Sequence, residues 1–188
     1  MILKKRMRRF IPYLITAIVF STLAFGAGQV LGMKQKSVDS AAFIMSGRLA
    51  VNEKDLRNMV AAKNLTVYWL GPEAGAKYLL DTSLADGISL RVIYASASTG
   101  STAASETYYE VGTFASPDAF ALTQKAGLQP NGVGLINTDG NAIYYDSRDP
   151  KNVYVGLKGT DMQVEIFDPR PERALAVAMV QGGIQKIS

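Results

Sequence analysis

Residues 10–33 carry no charged side chain, and a cluster of Lys4, Lys5, Arg6, Arg8 and Arg9 leads directly into them. As a helix, the 24 positions would extend about 36 Å, enough to cross a hydrocarbon core with some tilt. In lipid the backbone must satisfy its own hydrogen bonds, which leaves a helix as the form a single span can take. Phe10, Ile11, Leu14, Ile18, Phe20, Leu23, Val30 and Leu31 supply the apolar side chains of this expected anchor. Pro12 falls in the first turn, where its missing N–H costs little. Five basic residues precede the span, and only Lys34 and Lys36 follow closely, so the Lys/Arg bias places residues 1–9 in the cytoplasm. The C-terminal part is then extracytoplasmic, held at the cytoplasmic membrane.

A cleaved signal peptide fits the same basic start, apolar stretch and small residues Ala24, Gly26, Ala27 and Gly28. Apolar character continues through Val30, Leu31 and Met33, beyond a plausible cleavage point, which favours a retained anchor. Ala24, Gly28 and Gly32 recur every four residues. They would let a second helix approach closely, a route to a homodimer through the anchor, although small residues are also common in membrane helices.

Charge outside the anchor reverses the impression left by the whole chain. Residues 1–36 hold seven Lys/Arg and no acid, leaving thirteen basic against sixteen acidic residues, a net of −3. A nucleic-acid partner is therefore not expected, since the folded part lacks clustered basic charge. The chain contains neither Cys nor His. That excludes disulfide stapling, serine triads, cysteine nucleophiles and His-ligated metal or haem.

Residues 34–50 read as a juxtamembrane connector and residues 51–188 as one extracytoplasmic domain. Asn52 with Asp55 three residues on resembles a helix cap, and Leu56, Met59 and Val60 form an apolar stripe behind it. The period then becomes that of strands, over 65–70, 77–82, 88–95 and 106–114, with a small-residue loop at 96–105. Ser116-Pro117-Asp118 carries a capping hydroxyl, a proline at the first helical position and an acid at the positive helix end, predicting a helix to Ala126 stopped by Gly127. Asp139-Gly140 joins strands at 133–137 and 141–146, and Lys158-Gly159-Thr160-Asp161 joins strands at 152–157 and 162–167. Pro171 opens a last helix with Ala174, Leu175, Ala178 and Met179 toward the core. The predicted class is α+β: a mainly antiparallel sheet with helices packed on one face, in an order suggesting two similar halves.

Candidate chemistry is sparse. Adjacent tyrosines on a strand point to opposite faces, so Tyr108-Tyr109 and Tyr144-Tyr145 must each send one ring away from the core, where it could meet a partner or a glycan. Glu106 and Glu110 would stand about 13 Å apart on one strand face, too far for a carboxylate dyad. Asn137, Asp139 and Asn141 resemble part of a calcium loop without its terminal Glu and read better as a turn. Gly132 and Gly134 precede no helix, so no dinucleotide fingerprint forms, and neither a cofactor nor a metal is expected.

Val67-Tyr68-Trp69-Leu70-Gly71, together with Val164-Glu165-Ile166-Phe167 followed by proline and an Ala-rich helix, resembles uncharacterised, N-terminally membrane-anchored extracytoplasmic proteins of actinobacteria. That resemblance implies location and class, with no catalytic residues to carry over. The reading is a non-catalytic, single-pass interaction module or accessory subunit of a membrane or envelope protein complex. The alternative is a small-ligand or glycan-binding envelope domain, and a hydrolase using only carboxylates or Ser/Lys is a third possibility.

Overall fold

In a computed structural model of the protein, the described residues are 43–45, 48–84, 87–94 and 108–188. The chain divides into Met1–Asp39 and Ser40–Ser188, and the described residues belong to the second unit. The expected anchor, the small-residue positions Ala24, Gly28 and Gly32, the 96–105 loop and Glu106 lie outside them. Among the described residues no helix is long and apolar enough to cross a membrane.

The elements in order are β1 Phe43–Met45, β2 Arg48–Ala50, α1 Glu53–Ala62, β3 Tyr68–Trp69, β4 Lys77–Asp81, β5 Gly87–Ile93 and β6 Tyr108–Ala115. They continue with α2 Ala119–Ala126, β7 Gly132–Ile136, β8 Ala142–Asp146, β9 Asp149–Gly156, β10 Met162–Phe167, α3 Pro171–Met179 and β11 Gln185–Lys186. The predicted alternation of helix and four strands is present. Seven strands form one sheet in the order β4-β5-β6-β10-β9-β8-β7, with every neighbouring pair antiparallel. Two meanders thus meet where β6 pairs β10.

Local chemistry explains most element ends. The Asn52 side chain accepts from the Asp55 N–H at 2.9 Å, capping α1. Gly140 and Gly159 adopt positive φ, +79° and +73°, in the two hairpin turns. Four expectations need correction. First, residues 34–50 include an antiparallel β1–β2 pair where a connector was expected. Second, the strand expected at 65–70 contracts to β3, which leaves the main sheet and pairs with β11. Val67 and Trp69 are buried, while the Tyr68 N–H donates to Thr113 Oγ1 at 3.0 Å, so the segment lies across the sheet. Third, α2 starts at Ala119, because the Asp161 carbonyl accepts from the Ser116 N–H at 2.8 Å and holds residues 116–118 as a turn, with Asp118 left-handed at φ +59°.

The fourth correction concerns which faces the helices cover. Strand register puts Leu90, Val92, Tyr109, Val111, Val164, Ile166, Val153, Val155 and Ile143 on one face, and these are fully buried or nearly so. Leu56 and Val60 of α1 and Ala174 and Ala178 of α3 join that core, with Trp69 and Ile187 between them. Each such side chain is worth about 1.5–3 kcal/mol when large and fully buried. α2 lies on the opposite face. There β7, β8 and β9 present Gly134, Ala142 and Gly156, and a Cβ on Gly156 would stand 2.5 Å from the Ala119 carbonyl oxygen and 2.7 Å from Phe120 Cα. Likewise a Cβ on Gly127 would meet Gly134 Cα at 2.5 Å, so Gly127, at φ −62°, permits close approach and has no left-handed role. The sheet therefore carries helices on both faces.

Gly156→Ala should destabilise the fold by about 2 kcal/mol or more, because backbone must move to admit the methyl group. Gly159→Ala, with nothing within 4 Å of its Cβ, should cost about 1 kcal/mol from left-handed backbone strain alone. Urea unfolding of the two variants checks the order.

Candidate binding face

Alternation along the central strands delivers a second, polar set of side chains to the face that carries α2. Reading across the paired strands, one row runs Gly134, Tyr144, Tyr154, Glu165, Gly112 and Ser89, and an adjacent row runs Asn152, Phe167, Glu110 and Arg91. Diagonal neighbours in such a ladder lie about 7–8 Å apart at Cα, so Glu110 and Glu165 are near each other without being directly opposed.

The two carboxylates are treated differently by their surroundings. Both are buried, at 5% and 7% exposure. Glu110 is compensated: the Ser89 hydroxyl donates to Oε1, and Arg91 donates to Oε2 through Nη2 at 3.0 Å and Nε at 3.3 Å. The Arg91 guanidinium also lies 4.5 Å from the Tyr108 ring centre. Glu165 has no hydrogen bond or ion pair among the described residues, and burial pushes its carboxyl up to about 7. Gln163, two positions earlier on the same face, is 7% exposed, and its amide makes no hydrogen bond among the described residues.

Aromatic rings flank these groups. Tyr144 and Tyr154 stack at 5.5 Å between centres and 30° between planes, and Tyr108 contacts Phe167 at 6.1 Å. Tyr108, Tyr144, Tyr154 and Phe167 are all half-buried. Burial raises the Tyr154 phenol above its ordinary range, with Glu165 adding to the effect, and burial raises Tyr144, with Asp146 adding. Both phenols stay neutral at physiological pH.

The predicted tyrosine pairs divide as alternation requires. Tyr108 and Tyr144 reach the polar face. Tyr109, 1% exposed, lies in the core 5.8 Å from Tyr94, which removes it from the surface, and Tyr145, half-buried like Tyr144, packs against the core cluster. Tyr154 lies outside the adjacent tyrosine pairs, and Gln163 and Glu165 are the members that tyrosine counting misses. The signal for them was present in β10, where Gln163 and Glu165 alternate with the buried Val164 and Ile166.

Other polar clusters are internally satisfied. Asp168, 2% exposed, accepts from Arg170 Nε at 2.9 Å and Nη2 at 3.0 Å, and Arg173 bridges to Glu73 at 3.0 Å with its guanidinium 5.0 Å from the Tyr94 ring. This network fastens the start of α3 to the end of β5 and to the segment before β4. Asn137, Asp139 and Asn141 accept from the N–H groups of Asn141, Gly182 and Lys158, at 2.8, 2.9 and 2.9 Å respectively, as a turn would use them. An open depression of about 370 Å³ lies between the start of α2 and the β9–β10 turn, lined by Asp118, Phe120, Ala121, Gly159, Thr160 and Asp161. Among the described residues no group of three His, Cys, Asp or Glu side chains is placed to hold a metal ion.

Comparison with protein-family models, curated proteins and solved structures finds no match to this chain.

A carboxyl whose folded pKa lies above the ordinary glutamate value of about 4.3 adds stability that is full below that value and is lost as pH rises through 7. Glu165→Gln should therefore unfold at the same denaturant concentration as the parent near pH 4, yet gain about 3–4 kcal/mol over it by pH 8. Urea titrations across that interval read the difference directly, and parallel pH profiles would refute it.

Proposed function

We propose that this chain is a non-catalytic binding module, carried on a single N-terminal membrane span with its domain outside the cytoplasm, that engages a membrane or envelope protein complex through the polar face of its sheet. The observation that carries the reading is the set of half-buried aromatics, Tyr108, Tyr144, Tyr154 and Phe167, on the face opposite the core. Rings of this kind offer large contact area with little conformational entropy to lose, which is why they anchor interfaces. The basic cluster before residues 10–33 supports the orientation and the anchor.

A carboxylate hydrolase gains less support from this arrangement. Among the described residues Glu110 is the carboxylate next to Glu165 in the ladder, and both its oxygens are engaged by Ser89 and Arg91, so it offers no free base or nucleophile beside a protonated partner.

The test is affinity isolation of the full-length protein from native membranes in mild detergent, with intact-mass measurement of the isolated chain. A mass that retains residues 1–33, with a stoichiometric membrane partner lost in a Tyr108→Ala/Tyr144→Ala variant and kept after exchange of the anchor for an unrelated one, is the expected result. Recovery of the protein alone would overturn the module reading, and a mature mass lacking the first 33 residues would overturn the anchor.

A further inference from the structure

The two edges of the seven-stranded sheet are finished differently. At one, Val51 covers part of β4: its N–H donates to the Tyr78 carbonyl and its carbonyl accepts from the Tyr78 N–H, each at 2.8 Å. That strand also carries Lys77 and Asp81. At the other edge β7 has β8 on one side and no described strand on the other. Natural sheets blunt a free edge with charge, proline or a bulge. Gly132-Val133-Gly134-Leu135-Ile136 has no charge and no proline, its register with β8 is unbroken, and no charged side chain occurs anywhere in 126–138.

Hydrogen bonds at its two ends fix which backbone groups face outward. The Asn137 N–H donates to the Asn141 carbonyl at 3.0 Å, and the Asn131 carbonyl accepts from the Ser147 N–H at 2.8 Å. Odd positions of β7 therefore turn their N–H and C=O groups toward β8. Those of Gly134 and Ile136 turn to the open edge, and Gly134, Leu135 and Ile136 are all exposed. The exposed large apolar side chains of the described residues gather about this edge. Leu135 and Ile136 stand on it, and Leu128 follows Gly127, which lies against Gly134. Val180 follows Met179, whose carbonyl accepts from the Thr138 hydroxyl at 3.3 Å, and Leu122 sits on α2, which packs on β7.

We infer that β7 pairs antiparallel with β7 of a second copy of this chain, about a twofold axis at Leu135. This inference stands apart from the reading of the polar face.

The outward groups are self-complementary, as a twofold interface requires. With Gly134 opposite Ile136 of the second copy, and Ile136 opposite its Gly134, every outward N–H of these residues meets an outward carbonyl. Leu135 then stands opposite the second copy's Leu135 as a non-hydrogen-bonded pair, the kind in which Cα atoms approach to about 4.5 Å. On the other face Ile136 lies across from a residue without a side chain, so bulk meets space. Moving the axis to Gly134 would set Ile136 against Gly132, whose N–H is already taken by the Gln129 carbonyl at 2.8 Å. A strand without charge does not repel its own copy, and it has no ion pair with which to select a charged partner.

The test is light scattering of the full-length protein in mild detergent, together with oxidative cross-linking. A dimer mass is expected. The chain has no cysteine, so single substitutions report their own positions. Leu135→Cys, which meets itself at the axis, should form a disulfide-linked dimer at least tenfold more than Thr138→Cys, displaced along the strands, or Lys54→Cys on α1. Leu135→Lys and Leu135→Glu should each lose the dimer tenfold or more alone and regain it when mixed, because unlike charges then face each other. A monomeric parent would overturn the inference. So would a dimer whose Leu135→Cys cross-link does not exceed that of Lys54→Cys, since the contact would then lie elsewhere, in the anchor for example. Retention of the dimer in Leu135→Lys alone would overturn it as well.

Discussion

The antiparallel pairing of β6 with β10 at the centre of the sheet decides the rest of the molecule. With Val111 opposite Ile166 and Gly112 opposite Glu165, every odd position of β6 and every even position of β10 turns toward α1 and α3, and the others turn toward α2. A slip of one residue would bring Glu110, Gly112, Gln163 and Glu165 into the core and expel Tyr109, Val111, Val164 and Ile166. Burial of those four apolar residues therefore fixes the register against alternatives, and the polar face is its necessary complement. Within the seven-stranded sheet, β4–β6 and β7–β10 meet at this pair, so the repeat suggested by their order does not divide it.

The polar face is unequal along its width. At Gly134, Ala142 and Gly156 of β7, β8 and β9 it is narrowed to glycine and alanine, which brings the α2 backbone into contact with the sheet there. Tyr144 of β8, Tyr154 of β9 and the long polar and aromatic side chains of β10 and β6 make up the rest. Glu110 and Glu165 sit in the same low-dielectric setting and differ in their partners alone, which is why one is a structural ion pair and the other a candidate contact for something outside the chain.

Much of this was legible before the structure. Turn chemistry located both hairpins, since Gly140 and Gly159 take the positive φ that their dipeptides suggested, and Asn52 capped α1 as read. Tyrosine alternation correctly required one ring of each adjacent pair to leave the core. What it could not supply was which ring, because for Tyr108-Tyr109 that depends on pairing with β10, some fifty residues away. The position of α2 was hidden for a related reason: it is set by side chains that are missing, at Gly134 and Gly156, and an absence has no periodicity. The β3–β11 pairing joins segments more than a hundred residues apart, one of them the polar Gln185-Lys186, which shows no strand pattern of its own. The first residues of α2 escaped because a tertiary hydrogen bond from Ser116 to Asp161 outweighs the local capping signature.

The central claim is that one register sorts the tyrosines, and with them the polar row, onto two faces. It is tested most directly by brief nitration of the folded protein with tetranitromethane followed by quantitative peptide mapping. The account predicts that Tyr144 and Tyr108 are nitrated first, while Tyr109 and Tyr78, each 1% exposed, react only on unfolding. Early modification of Tyr109 with Tyr108 and Tyr144 protected would mean that the faces are reversed, and the account would be wrong.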